Sequence, residues 1–227
     1  MWTVAITGAD DDVDPSALED LSDEFPFVEW GILRSAKREG TPRYPSRKWV
    51  RAVLRLSGIS HLSLHLCGED ARQAQRGIFN GDEQLFNRVQ INGYKLAAGP
   101  NDLKQGSSRF APGVTFILPF NDEALALPVA CDAAVLPGGE VLFDPSGGRG
   151  VEPFRWATAP ARVRGVVDVR MGYAGGIGPD NVVDVLRDIG PVRPTWIDME
   201  SGVRTDDKFD LAKVRRVLEQ VAMVGGG

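Results

Sequence analysis

Leu62-Ser63-Leu64-His65-Leu66-Cys67 is the stretch on which the fold turns. Side chains of a strand point alternately to its two faces, so the leucines share one side and Ser63, His65 and Cys67 share the other. The leucine face calls for helices packed against it. Seven more β-rich runs flank this one: Trp2–Thr7, Phe27–Leu33, Arg88–Asn92, Val114–Phe120, Val141–Asp144, Val169–Tyr173 and Thr195–Met199. Between them the spacing predicts helices over Pro15–Asp23, Ser46–Leu56, Asp70–Phe79, Asp122–Ala130, Pro179–Ile189 and Phe209–Ala222. Tyr94–Pro112 and Val151–Arg164 read as loops with at most short helices. Eight strands alternating with helices make a parallel sheet, and in 227 residues they suit an α/β fold closed as a (β/α)8 TIM barrel. The expected domain is residues 1–224, followed by a tail of Gly225, Gly226 and Gly227. An open doubly wound sheet is the rival.

Composition narrows the function. With 26 Lys and Arg against 31 Asp and Glu the net charge is −5, and no basic block is present, which argues against nucleic-acid partners and a polybasic membrane patch. Cys67 and Cys131 lie far apart in apolar surroundings, too few for a disulfide framework or a metal knuckle, and Cys131 reads as packing. The first residues lack a basic leader and no apolar run is long enough to span a bilayer, so a cytoplasmic protein is expected, as a monomer or homodimer.

Strand alternation then says which side chains share the barrel axis. Thr7, Glu29, His65, Cys67, Gln90, Asn92, Asp144, Asp198 and Glu200 all fall on the inward face near strand ends. Burying so many unpaired polar groups would be costly, so they should line a solvated or ligand-filled mouth. An internal hydrogen-bonded network without a ligand is the alternative, as is ion pairing of Glu29 and Glu200 with Arg43, Arg34 or Arg204. After the last two strands come Tyr173-Ala174-Gly175-Gly176-Ile177-Gly178-Pro179 and Asp198-Met199-Glu200-Ser201-Gly202-Val203. Glycines there let backbone approach an anion, and a helix opening at Pro179 would present free N–H groups, so Gly175, Gly176, Ser201 and Gly202 are candidate phosphate contacts.

The ordered set of motifs resembles the phosphoribosylanthranilate isomerase family of the tryptophan pathway. Leu142-Phe143-Asp144-Pro145-Ser146-Gly147-Gly148-Arg149-Gly150, followed by Phe154 and Trp156, is similar to its strand-six motif. Ala174-Gly175-Gly176 with Pro179, Asn181 and Val182 resembles its phosphate loop, and Asp198 to Val203 its strand-eight Ser-Gly-Val segment. Thr41-Pro42-Arg43-Tyr44 resembles its Ser-Pro-Arg motif, and Val89-Gln90-Ile91-Asn92-Gly93 its strand four, with Asn92 where the family has His. The resemblance implies a phosphorylated small-molecule substrate, Gly148 among the phosphate contacts, Arg43 as an anion clamp, and Glu29, Gln90, Asn92, Asp198 and Glu200 around the substrate. It also implies an Amadori rearrangement in which an acid, matched by Asp144, opens the ribose ring and a strand-one thiolate removes the C2 proton.

Here the sequence departs from the family. The base position reads Ile6-Thr7-Gly8, so a hydroxyl stands where the thiol belongs. An unassisted alcohol supplies almost no alkoxide at neutral pH, and loss of a general base costs about 10² to 10⁴ in rate. Cys67 is a candidate relocated base, with His65, Glu29 and Glu200 as others. Three functions therefore stand: an isomerase with an altered base or substrate; a binding protein that has lost turnover; and a divalent-metal enzyme using Glu29, His65, Asp144, Asp198 and Glu200. The first two need no cofactor and no metal.

Overall fold

Val4 and Ile6, Val28, Trp30 and Ile32, and Leu62, Leu64 and Leu66 alternate along the first three strands and are all buried in the layer between sheet and helices. This computed structural model describes residues 2–110, 112–151, 163, 166–190 and 195–225. Its eight parallel strands are β1 (Thr3–Thr7), β2 (Val28–Arg34), β3 (Leu62–Leu66), β4 (Arg88–Ile91), β5 (Thr115–Phe120), β6 (Glu140–Phe143), β7 (Arg170–Ala174) and β8 (Trp196–Met199). Each pairs with the next, and β8 pairs with β1 in the register Ala5 to Asp198, which closes the barrel. The expected (β/α)8 architecture is the observed one, and the open sheet is not. Among the described residues no helix is long and apolar enough to cross a membrane.

Among the described residues the α-helices are α1 (Pro15–Glu24), α2 (Arg47–Val53), α3 (Gly68–Gln75), α4 (Asn101–Ser107), α5 (Ala126–Ala134), α6 (Val182–Ile189) and α7 (Leu211–Gly225). Their caps explain their starts: the Asp14 carboxylate accepts from Ser16 N, and Ser46 Oγ accepts from Trp49 N. Several boundaries differ from expectation. The third helix stops at Gln75 rather than Phe79 because Gly77 takes φ +71°. The sixth begins at Val182, not Pro179, since Gly178 to Asn181 form a turn. Cys131 is exposed on α5, whose buried face is Ala126, Val129, Ala130 and Ala133, so the packing role expected for it does not hold. An antiparallel pair, β9 (Arg204–Thr205) and β10 (Lys208–Phe209), was not foreseen. Phe154, Trp156, most of the expected Val151–Arg164 loop, Gly226 and Gly227 lie outside the described residues.

Two sets of side chains fill the axis. Ala5, Ile117, Leu142, Ala174 and Trp196 make a small apolar cluster. Beside it, the Arg88 guanidinium lies 4.1 Å over the Trp196 ring, with Nε 3.5 Å from Glu29 Oε2 and Nη1 3.6 Å from Glu140 Oε2. Arg170 Nη1 reaches Glu140 Oε1 at 2.8 Å. Glu29 is therefore corrected: it points inward as expected but belongs to this charged floor. It is 3% exposed, its partner is Arg88 rather than Arg34, Arg43 or Arg204, and it is not on the wall of the cavity described next.

Candidate active site

The C-terminal ends of the strands surround a cavity of about 760 Å³. Its wall gathers Thr7, Arg43, Cys67, Gln90, Asn92, Asp144, Gly148, Gly175, Gly176, Asp198, Glu200 and Ser201 from the length of the chain. These twelve and His65, thirteen of the fifteen candidate site residues, meet in one space, while Glu29 and Gly202 do not line it. Gly202 serves the site indirectly. A Cβ there would sit 1.9 Å from the Ile177 carbonyl oxygen, so its absence lets the two glycine loops touch.

At the junction of β1 and β8, Thr7 Oγ1 donates to Asp198 Oδ1 at 2.9 Å. The contact has room because the β2 residue paired with Thr7 is Gly31, where a Cβ would lie 2.1 Å from Thr7 Oγ1. Burial pushes the Asp198 carboxyl up to about 7; the hydrogen bond from Thr7 and the charge of Arg88 oppose this, while Glu29 and Glu200 add to it. His65 bonds Ser63 Oγ through Nε2 at 3.1 Å, and burial together with the Arg88 charge drives its pKa down to about 3, so the imidazole is neutral. Cys67 Sγ accepts from Asn92 Nδ2 at 3.1 Å, with Gln90 Nε2 donating to Asn92 Oδ1 at 2.8 Å behind it. Burial pushes the Cys67 thiol up, against the hydrogen bonds from Asn92 and the Tyr44 hydroxyl.

Across the mouth, Asp144 follows β6. Its Oδ1 accepts from the Ser146 backbone N–H at 3.0 Å and the Ser146 hydroxyl at 2.6 Å, and its Oδ2 accepts from Gly148 N–H at 2.6 Å. This clasp builds the Gly147–Gly150 loop and places it beside Gly175. Gly175 and Gly176 have φ of +104° and +64°, values that favour glycine, and so bring bare backbone to the cavity. The helix-terminus part of the anion argument changes. Asn181 Oδ1 accepts the Gly178 N–H at 2.9 Å and its Nδ2 donates to the Gly176 carbonyl at 2.9 Å, so the side chain braces the loop ahead of α6.

Arg43 enters from the Thr41–Tyr44 turn with φ +74°. Asp10 Oδ2 accepts its backbone N–H at 2.7 Å, Glu200 Oε1 accepts from Nη1 at 2.9 Å, and Asp207 pairs with Nη2. Asp207, Ser146 and Tyr44 had not been singled out as site residues. A signal for Asp207 exists in Asp206-Asp207, two residues with φ +50° and +61° that suit a tight hairpin turn. The acidic and His residues do not assemble into a metal site: among the described residues no three His, Cys, Asp or Glu groups are placed to hold an ion. The divalent-metal reading loses its ligand set, since Glu29 is tied to Arg88 and His65 to Ser63.

Comparison with known proteins agrees with this geometry. The family model of N-(5'phosphoribosyl)anthranilate isomerase matches residues 131–220. An isomerase of that name from Zygosaccharomyces bailii is 41% identical over 86 residues, 36% of this chain and 40% of its own length. Another from Desulfitobacterium hafniense is 28% identical over 171 residues, 69% of this chain and 67% of its own length. The chain is similar to phosphoribosylanthranilate isomerases, most clearly over residues 131–220. The match thus spans less than half of the Zygosaccharomyces relative and about two thirds of the Desulfitobacterium one. The fold of phosphoribosylanthranilate isomerase from Thermotoga maritima superposes with a TM-score of 0.67 at 18% identity, covering 98% of this chain and 100% of that one. A phosphoribosylanthranilate isomerase in complex with reduced 1-(o-carboxyphenylamino)-1-deoxyribulose 5-phosphate has a TM-score of 0.65 at 18% identity, covering 98% and 100%.

Proposed function

We propose that this barrel isomerises a phosphorylated N-ribosyl amine of the phosphoribosylanthranilate kind, by an Amadori rearrangement. The observation that carries the reading is that Asp144 and the Thr7–Asp198 pair, from opposite ends of the sequence, line one cavity together with two glycine loops. Asp144 gives its proton to the ribose ring oxygen. The C1–O bond breaks, the nitrogen lone pair forms C1=N, and a base then takes the C2 proton to leave the enol-amine, which tautomerises to the ketose. Ser146 Oγ can donate or accept and so suits either protonation state of Asp144. Gly148, Gly175, Gly176 and Ser201 are the proposed phosphate contacts. Arg43 is the proposed clamp for an anionic group on the amine, and Gln90 and Asn92 border the sugar.

Turnover of N-(5'-phosphoribosyl)anthranilate by the purified chain tests this directly. Asp144→Asn is expected to lower kcat by about 10² to 10⁴ while the reduced product analogue still raises the melting temperature. Full activity in that variant would remove Asp144 from its role. Thr7 at the base position favours a second reading, a binding protein; a wild-type chain that holds the analogue and converts no substrate would establish that one instead.

A further inference from the structure

We propose that Asp198 is the base that takes the C2 proton, and that Thr7 is its positioning residue, holding one carboxylate oxygen so that the other faces the substrate. This rests on the isomerase reading above and names the group it lacks. The hydroxyl that replaced the thiol donates to Asp198 Oδ1 at 2.9 Å, so its proton is committed to the neighbouring strand. Asp198 lines the cavity, and Oδ2 takes no hydrogen bond among the described residues. The carboxylate is thus anchored on one side and open on the other. Because β8 adjoins β1, the acceptor lies at the same part of the mouth as the lost thiol.

The other candidates are occupied. Cys67 sits under the Asn92 amide and the Tyr44 hydroxyl, and burial keeps it a thiol. His65 is bonded to Ser63 and is driven too low to take a proton usefully near neutrality. Glu200 is bound by Arg43 and Glu29 by Arg88. The groups acting on Asp198 are Thr7 from β1, Glu29 from β2, Arg88 from β4 and Glu200 from the end of β8; the two glutamates and burial together keep its proton affinity high enough for a base that works at neutral pH. In the step itself the C2–H electron pair becomes the C1=C2 bond, the electrons of C1=N return to nitrogen, and the proton ends on Asp198 Oδ2.

The test is kcat and kcat/KM for N-(5'-phosphoribosyl)anthranilate across about pH 5 to 9 in the wild type, Asp198→Asn, Thr7→Val and Cys67→Ser, with binding of the reduced analogue measured alongside. Asp198→Asn is expected to lose about 10² to 10⁴ in kcat with analogue affinity kept within a few-fold. Thr7→Val removes a hydrogen bond to the charged form, so the acid-side limb of the profile is expected to move up by about 1 to 2 pH units, a shift a merely structural role would not give. A wild type that turns over while Asp198→Asn keeps its rate, or a Cys67→Ser variant that loses proton abstraction while Asp198→Asn retains it, overturns the base assignment alone. A wild type with no turnover overturns the isomerase reading, and this proposal with it.

Discussion

Gly31 shows how tightly single residues determine this site. The Thr7–Asp198 contact exists because position 31 has no side chain, and an added methyl would also meet His65 Nε2 at 3.0 Å. Gly31→Ala is expected to break the contact and to destabilise the fold by about 1 to 3 kcal/mol, read in a denaturant melt. Asp198 carries a pH signature of its own. Its carboxyl is raised from 3.8 to about 7 in the folded chain, so the folded state binds the proton more tightly than the unfolded one. That contribution to stability is fully present below about pH 4 and is lost as pH rises through about 7. Asp198→Asn removes it. Against Asp198→Asn, the wild type should therefore lose stability between about pH 4 and 7, by on the order of a few kcal/mol at most, seen as a falling melting temperature; parallel pH curves would refute the shift.

At the scale of elements, the Thr41–Tyr44 turn and the β9–β10 hairpin meet over the cavity. Arg43 is held there between Glu200 and Asp207, both from the C-terminal part of the chain. On the proposed reading of Arg43 as a clamp, a ligand carboxylate must compete with these two for the guanidinium. Glu200→Gln removes one competitor and is expected to tighten binding of the reduced analogue several-fold, an effect that high salt should shrink; unchanged affinity in a titration would mean that Arg43 does not meet the ligand. Most of these elements were legible beforehand. Period-two alternation located all eight strands, because each has an apolar face buried against helices. The hairpin was not, since two-residue strands have no period to read and a pair of aspartates in left-handed backbone looks like any polar loop. The start of α6 was misplaced because Pro179 favours a turn as readily as a first helical residue.

For the molecule as a whole, alternation identified which positions face the axis but not how deep each lies. Glu29 and Asp198 lie on the same inward face, yet one is sealed beside Arg88 and the other opens to the cavity, because register and barrel stagger set depth and neither shows in one strand's sequence. Arg88 shares its face with Gln90 and Asn92, and Glu140 with Leu142 and Asp144, so the floor could have been read by extending the same alternation two residues back. Arg88 lies against Glu29 and Glu140, both nearly fully buried. Arg88→Met is expected to cost about 3 to 5 kcal/mol, since it strands the Glu29 carboxylate in the interior and leaves Glu140 to Arg170 alone, and a calorimetric melt would measure it.

The pairing of the first strand with the last has a consequence for biosynthesis. Thr7 and Asp198 stand 191 positions apart. A nascent chain leaving the ribosome carries the donor hydroxyl long before the acceptor, which arrives only when the eighth strand emerges. Prematurely terminated products that stop short of it cannot form this contact or close the barrel between its first and last strands.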